Sequence, residues 1–177
     1  MDTPIPSNER RRLEQLTALD ILDTEPSPGF DRVCTLAQEF FKVSAAMVSF
    51  VDTDRQWFKA KIGTELTGST RSAAFCAHTI MADEILVVRD ALADPRFASS
   101  PIVTGEPWIR FYAGAPIMLS PGIRLGAVCI VDRRPRTLDT SGRAVLKQLA
   151  EVAISELRLI LAARAYFRRG FANGGRS

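Results

Sequence analysis

Two apolar segments separated by a short turn constrain the fold of this chain more than any other feature. The segments are 109–119 and 122–132, and the tripeptide Ser120-Pro121-Gly122 joins them. Proline fixes φ and glycine permits unusual backbone angles, so this tripeptide is typical of a turn. The pattern predicts a long β-hairpin. Gly114 and Gly126 inside its strands indicate that a helix, a bulge or a ligand approaches the sheet closely.

The bulk properties are those of one globular domain with a real core. The chain has 177 residues, of which 46% are hydrophobic and 24% charged, and its net charge is +3. The arginine clusters at 10–12, 133–134 and 168–169 have no interleaved aromatic residues, so we expect no nucleic-acid binding. No apolar stretch is as long as a membrane span, and the acidic, proline-containing start is unlike a signal peptide.

The three cysteines, Cys34, Cys76 and Cys129, are too few and too far apart for a disulfide scaffold. They also lack the spacing of a zinc site. We therefore expect no metal site and a reducing, cytoplasmic setting.

Periodicity and turn residues predict one domain, with a core over about 24–136 and a helix at each end. The predicted helices are 7–22, 29–42, 73–81 and 137–167, and the predicted strands are 45–51, 55–62, 85–89 and the two of the hairpin. Loops are expected at 63–71 and at 90–104, the second with a helical turn near 94–97. A disordered tail is expected at about 170–177.

Short motifs in a fixed order make the sequence recognisable, and together they cover roughly 11–161. They are Leu19-Asp20-Ile21-Leu22-Asp23-Thr24, Phe30-Asp31-Arg32, Val48-Ser49-Phe50-Val51-Asp52, Arg55-Gln56-Trp57-Phe58-Lys59, Phe75-Cys76-Ala77-His78, Val87-Val88-Arg89-Asp90-Ala91, Asp94-Pro95-Arg96-Phe97, the run from Ile109 to Pro116 and the run from Leu125 to Asp132. The chain resembles the GAF domains of bacterial sensor histidine kinases and diguanylate cyclases.

This resemblance implies an α/β fold with a six-stranded antiparallel sheet and helices on both faces. One face would form a small-molecule pocket, and the terminal helices on the other face would pair into a homodimer. Members of the family bind different ligands or none identified, so the ligand stays unidentified and the sequence requires no cofactor.

Ten side chains are candidates to line the pocket: Trp57, Phe75, Cys76, His78, Asp90, Arg96, Phe97, Arg110, Tyr112 and Cys129. Arg110 and Tyr112 alternate along one strand, so both would point to the same face. Arg110 would then bind a carboxylate or phosphate. The alternative, which we favour, is that Arg110 pairs with Asp90 or Asp94 and pins the long loop, because a buried arginine needs a partner.

The residues argue against four kinds of chemistry. Cys76 and His78 are two apart on a predicted helix and do not share a face, which argues against a catalytic dyad. The cysteines expected in methionine-(R)-sulfoxide reductases are missing at 59–63 and 108–110, and Ala77 interrupts the Cys-His pair of bilin-binding domains. The cyclic-nucleotide signature is absent too.

We therefore expect a non-enzymatic cytoplasmic sensory domain that binds a small molecule. It would signal through its terminal helices to a partner domain of a two-component or cyclic-di-GMP signalling protein. The apolar stripes of the two terminal helices, at 13–19 and 146–161, predict a homodimer. Two alternatives stay open. One is a dimerisation scaffold whose pocket is filled by Trp57, Phe75, Phe97 and Tyr112; the other is a redox sensor that uses the Cys76 thiol, although a buried, inert thiol is the plainer interpretation.

Overall fold

A computed structural model describes residues 3–173, and its centre is one six-stranded sheet. The strands lie in the order β3-β2-β1-β6-β5-β4, and every neighbouring pair is antiparallel. Their bounds are β1 Ala45–Val51, β2 Arg55–Ile62, β3 Gly68–Thr70, β4 Leu86–Val88, β5 Phe111–Ser120 and β6 Ile123–Asp132. The predicted sheet is confirmed, with β3 added inside the predicted loop at 63–71.

The predicted hairpin is β5 and β6, which pair from Phe111 with Asp132 to Ser120 with Ile123. Its two interior glycines have separate reasons. A Cβ on Gly126 would lie 1.9 Å from the Ser49 carbonyl oxygen, so this glycine lets β1 approach β6. A Cβ on Gly114 would lie 2.1 Å from the Tyr112 hydroxyl oxygen, so this glycine makes room for the tyrosine ring.

Within residues 3–173, five α-helices and one 3₁₀ turn complete the fold. They are α1 Glu9–Leu19, α2 Pro28–Phe41, the 3₁₀ turn Arg71–Ala73, α3 Phe75–Thr79, α4 Pro101–Thr104 and α5 Thr140–Asn173. The helix predicted at 73–81 is shorter. The helical turn predicted near 94–97 is present as a single turn, in which the Asp94 carbonyl oxygen accepts from the amides of Phe97 and Ala98, and α4 follows it. Residues 170–173 of the predicted tail continue α5, and 174–177 lie outside the described residues.

The helices α1, α2 and α5 pack against one face of the sheet and form the larger core. Its centre contains Leu16 of α1, Phe30 of α2, Phe50 of β1 and Leu157 of α5, each at most 1% exposed. The prediction that the terminal helices share one side is confirmed. The apolar stripes of α1 and of the first half of α5 are buried within this domain, so they are not available to a second copy.

A smaller core lies on the opposite face of the sheet. There α3, α4 and the segment before β5 pack on β1, β5 and β6, with Phe75, Ile80, Phe97 and Tyr112 buried. Within the described residues, no helix is long and apolar enough to span a membrane. The short elements on this face cover it incompletely, and the space that they leave is the candidate site.

Candidate functional site

A cavity of about 660 Å³ lies on the face of the sheet that carries the smaller core. Its floor is built by the inward side chains of β1, β2 and β6, and its walls by α3, α4 and the segment before β5. The apolar lining includes Ala45, Met47, Phe58, Phe75, Ile102, Ile109 and Val131. Cavities of this size with few polar groups are typical of small-molecule sites.

The charged residues that line the cavity lie at its mouth, except Asp132, which is buried and pairs with Arg136. Glu65, Glu106 and Arg133 line it and are exposed. Lys61 also lines it, and its ammonium donates to the carbonyl oxygens of Thr64 and Glu65 at 3.2 and 3.0 Å. The lysine is therefore already occupied in holding the loop after β2.

The polar groups in the depth of the cavity converge on one thiol. The Cys76 Sγ lies 3.2 Å from the Ser49 Oγ, the Gln56 Nε2 and the Tyr112 hydroxyl oxygen. The Cys129 Sγ is 3.8 Å away. Cys76 is 1% exposed, so these contacts replace water around its sulfur.

Burial and these contacts act in opposite directions on the ionisation of Cys76. Burial disfavours the thiolate, but the hydrogen-bond contacts with Cys129, Ser49, Tyr112 and Gln56 outweigh it, and the pKa of Cys76 is lowered. The hydrogen-bond contact with Cys76, together with burial, raises the pKa of Cys129. Burial, together with the neighbouring Cys76 and Cys129, raises the pKa of Tyr112. Cys34 lies in the helical core, and burial raises its pKa to about 12. Cys76 is therefore distinguished from both other thiols.

Aromatic rings form a layer beside the cavity. Phe75 stacks on Tyr112 with centroids 4.9 Å apart and planes at 12°, and it contacts Phe97 at 4.4 Å. The Tyr112 hydroxyl lies 2.6 Å from the Thr79 Oγ1. Phe75, Phe97 and Tyr112, three of the four rings expected in a filled pocket, thus pack together. The cavity nevertheless remains next to Phe75 and Tyr112, which both line it.

The structure brings together four of the ten predicted pocket residues. Phe75, Cys76, Tyr112 and Cys129 line the cavity. Trp57 does not, because strand alternation turns it to the helical core, and its neighbour Phe58 lines the cavity instead.

The other predicted residues lie behind or beside the cavity wall. Phe97 packs behind Phe75, and His78 contacts Phe97 with ring centroids 4.7 Å apart. Burial, together with the charge of Arg96, lowers the pKa of His78. Arg96 donates to Asp94 from Nε and Nη2 at 2.9 and 2.7 Å, within the loop.

Arg110 forms the loop contact that its sequence predicted. Its Nε and Nη2 donate to the two carboxylate oxygens of Asp90 at 2.7 and 2.6 Å. The pairing with Asp90 is confirmed, and neither residue lines the cavity. Arg110 lies immediately before β5, and the predicted contact of its guanidinium with a ligand carboxylate or phosphate stays a prediction.

Sequence reasoning missed the polar residues around Cys76, above all Gln56 and Ser49. Gln56 lies two residues before Phe58 and so shares its face, a signal that alternation contained. Ser49 interrupts the apolar strand β1, and its role becomes visible only when Cys76 is placed above it. Among the described residues, no group of three His, Cys, Asp or Glu is arranged to hold a metal ion.

Comparison with known proteins identifies the family. Residues 25–157 match the family model of the GAF domain. The chain belongs to the GAF family. A cyclic di-GMP phosphodiesterase of Pseudomonas aeruginosa is 35% identical over 158 residues, which are 89% of this chain and 27% of that protein. This GAF domain therefore spans about a quarter of the length of that relative.

Solved structures show the same fold at low sequence identity. The GAF domain of a phosphoenolpyruvate-protein phosphotransferase from Coxiella burnetii superposes with a TM-score of 0.65 at 18% identity, covering 89% of this chain and 97% of that one. The free methionine-R-sulfoxide reductase of Neisseria meningitidis, solved with its substrate, gives a TM-score of 0.64 at 18% identity over 87% and 90%. A domain of a phosphotransferase and a sulfoxide reductase thus share this architecture.

Proposed function

We propose that this GAF domain is a non-enzymatic, cytoplasmic sensory module that binds a small organic molecule in its cavity. The observation that supports the proposal is the void of about 660 Å³ between the sheet and the short helices. A core that served only for packing would close such a space, because protein interiors are packed as densely as organic crystals.

The lining limits the chemistry of the ligand. Met47, Phe58, Ile109 and Val131 offer an apolar surface, so the ligand has an apolar body. A hydrogen-bonding group on it would reach the Gln56 amide in the depth. The charged residues at the mouth suit a polar end that faces solvent.

The sheet provides the route from the ligand to the terminal helices. The strands β1 and β6 carry Met47 and Val131 on the cavity face, and on the other face they contact α2 and α5. A ligand that binds one arrangement of the strands more tightly shifts the population of the helices that pack on them. We propose that α5 carries this change to an output domain of a two-component or cyclic-di-GMP signalling protein, as the relative from Pseudomonas suggests.

The proposal that the domain is not an enzyme rests on the surroundings of Cys76. Its neighbours are a serine, a glutamine, a tyrosine and a second thiol, and His78 lies behind Phe97 instead of beside the sulfur. A Cys-His catalytic dyad needs the imidazole within hydrogen-bond reach of the sulfur. We expect no reduction of free methionine sulfoxide by this domain, measured as the consumption of a dithiol reductant.

We also propose that the domain forms a homodimer through the outer face of α5. Val152, Leu159 and Tyr166 are spaced by seven residues and are 51%, 66% and 76% exposed. A spacing of seven keeps side chains on one side of a helix, as in a two-stranded coiled coil. This face is distinct from the buried stripe of α5, which contains Leu146 and Leu157.

Ligand binding is tested by thermal unfolding against a library of metabolites, with and without a filled cavity. We expect at least one compound to raise the Tm of the wild type. Met47→Trp places a large ring in the cavity and should abolish that shift, since Met47 is 6% exposed and lines it. Met81→Trp is the matched control, because Met81 is 40% exposed and does not line the cavity. Equal shifts in both variants, or none in the wild type, would contradict the proposal.

A further inference from the structure

Two thiols that are 53 residues apart in the sequence meet in the wall of the cavity. Cys76 lies on α3 and Cys129 on β6, and their Sγ atoms are 3.8 Å apart. We propose that this pair is a reversible oxidation site, which a hydroperoxide entering the cavity converts to a Cys76–Cys129 disulfide. This inference goes beyond the proposed function, because it requires neither a bound ligand nor an output domain.

The distance between the two thiols is short enough for a bond after a small movement. A disulfide has an S–S length of about 2.05 Å, so the sulfurs must approach by roughly 1.8 Å. Rotation of the two side chains and a shift of the short helix α3 can supply this approach. The third cysteine, Cys34, is buried in the helical core on the opposite face of the sheet and cannot compete.

The surroundings give the two cysteines different tasks. The Gln56 Nε2 and the Ser49 Oγ donate to the Cys76 sulfur and favour its thiolate, whereas the pKa of Cys129 is raised and this residue stays a thiol. A thiolate is the form of cysteine that attacks an oxidant. Cys76 therefore reacts first, and Cys129 resolves the product.

The reaction balances with one hydroperoxide. The Cys76 thiolate attacks the terminal oxygen, the O–O bond breaks, and the sulfur becomes a sulfenic acid while the oxidant leaves as an alcohol or water after taking one proton. The Cys129 sulfur then attacks the Cys76 sulfur and the S–O bond breaks. The hydroxyl leaves with the Cys129 proton as water, so two thiols lose two electrons in total. A dithiol reductant reverses the step by thiol–disulfide exchange.

The disulfide would change the cavity itself. The thiolate that Gln56 and Tyr112 contact disappears, and the sulfurs that remain are weaker acceptors. Because α3 also carries Phe75, which stacks on Tyr112, movement of α3 alters the aromatic layer beside the void.

The test is intact-protein and peptide mass spectrometry of the reduced domain after treatment with hydrogen peroxide. We expect the loss of two hydrogens, a cross-linked pair of peptides that contain Cys76 and Cys129, and full reversal by dithiothreitol. Cys34→Ser is the matched control and should behave as the wild type does. Cys129→Ser should form no disulfide and should instead retain a sulfenic acid on Cys76 that dimedone traps.

Circular dichroism checks that each variant is folded, and the cross-link in the wild type does not depend on any variant. Oxidation of the wild type without this cross-link, or a cross-link that forms only in denaturant, would overturn the inference. So would equal dimedone labelling of Cys34 and Cys76 in folded Cys129→Ser. None of these results bears on ligand binding, which is measured on the reduced protein.

Discussion

At the scale of single residues, the carboxylate of Glu9 decides how the first helix is attached. It accepts hydrogen bonds from the Arg12 Nε and Nη2 at 2.8 Å and from the Arg71 Nη1 at 2.6 Å. The Arg12 side chain is fully buried and also donates to the Val51 carbonyl oxygen at 2.6 Å. Glu9 therefore joins α1 to the end of β1 and to the 3₁₀ turn after β3.

The ionisation of Glu9 makes this attachment sensitive to acid. Burial favours the neutral acid, but hydrogen bonds from Arg12 and Arg71 outweigh it and lower the pKa of Glu9 to about 2. A folded-state pKa below the unfolded value contributes stability that is present above about pH 4.5 and is lost as the pH falls toward 2. The contribution is on the order of 1–3 kcal/mol.

We expect Glu9→Gln to lower the free energy of unfolding at pH 7 and to reduce its dependence on pH between about 4.5 and 2. Urea unfolding followed by circular dichroism at several pH values measures both effects. Glu14→Gln is the matched control, because Glu14 is exposed and its nearest contact is a 3.9 Å ion pair with exposed Arg10. A loss in Glu14→Gln as large as that in Glu9→Gln would contradict the assignment.

At the scale of elements, α5 has two apolar stripes with different tasks. One stripe packs on the sheet and on α2, and the other, with Val152, Leu159 and Tyr166, faces outward. The sequence predicted the apolar spacing of this helix, but it did not indicate which apolar positions would be buried within the domain and which would be exposed. The stripe of α1 that we expected in a dimer is buried, because Leu16 and Leu19 complete the helical core.

The outer stripe of α5 gives a prediction about assembly. Leu159→Glu should weaken the dimer at least about tenfold, which corresponds to about 1.4 kcal/mol, because two carboxylates would face each other in the interface. Sedimentation velocity over a range of concentrations measures the effect. Leu36→Glu on α2 is the control, since Leu36 is 58% exposed against 66% for Leu159. A monomeric wild type, or equal dissociation of both variants, would disprove this interface.

At the scale of the whole molecule, the sheet separates a filled core from a hollow one. The helices α1, α2 and α5 pack densely on one face, and the short elements on the other face leave the cavity. Adjacent residues of β2 illustrate this difference, because Trp57 packs on the filled side and Phe58 lines the hollow side.

Truncation of these two rings should separate stability from cavity shape. We expect Trp57→Ala to lower the free energy of unfolding by about 2 kcal/mol or more, because it removes contacts in a packed core. Phe58→Ala should cost less, since its ring already borders empty space, and it should change ligand-induced Tm shifts more than Trp57→Ala does. Urea unfolding and the ligand screen provide the two readouts. If Phe58→Ala lowered the free energy of unfolding more than Trp57→Ala did, the Phe58 ring would not border empty space, and the prediction would be wrong.

Much of the fold was predictable from local patterns. Alternation of apolar and polar residues located three strands and the hairpin, and glycine, proline and capping residues indicated the ends of the helices. The short strand β3 and the helix α4 escaped prediction, because elements of three or four residues carry too little periodicity. The pairing of Arg110 with Asp90 was predictable because a half-buried arginine before a strand needs an acid.

The candidate site was less predictable, since it depends on which face each strand presents. Trp57 and Phe58 are neighbours with similar rings, and nothing local indicates which of them lies on the ligand side. Arg96 and His78 are residue types that often bind ligands, so the sequence favoured them as pocket residues. In the structure Arg96 pairs with Asp94 of its own loop, and His78 contacts Phe97.

The amino-acid sequence by itself determined the family, the alternating strands and the turn of the hairpin, because these depend on residues close together in the chain. The tertiary structure alone decided that Cys76 meets Cys129, that Ser49 and Gln56 surround this pair, and that a void remains beside them. These features arise because the sheet places its first strand β1 next to its last strand β6, which brings distant residues together. A cavity is defined by all of its walls at once, and no single segment encodes it.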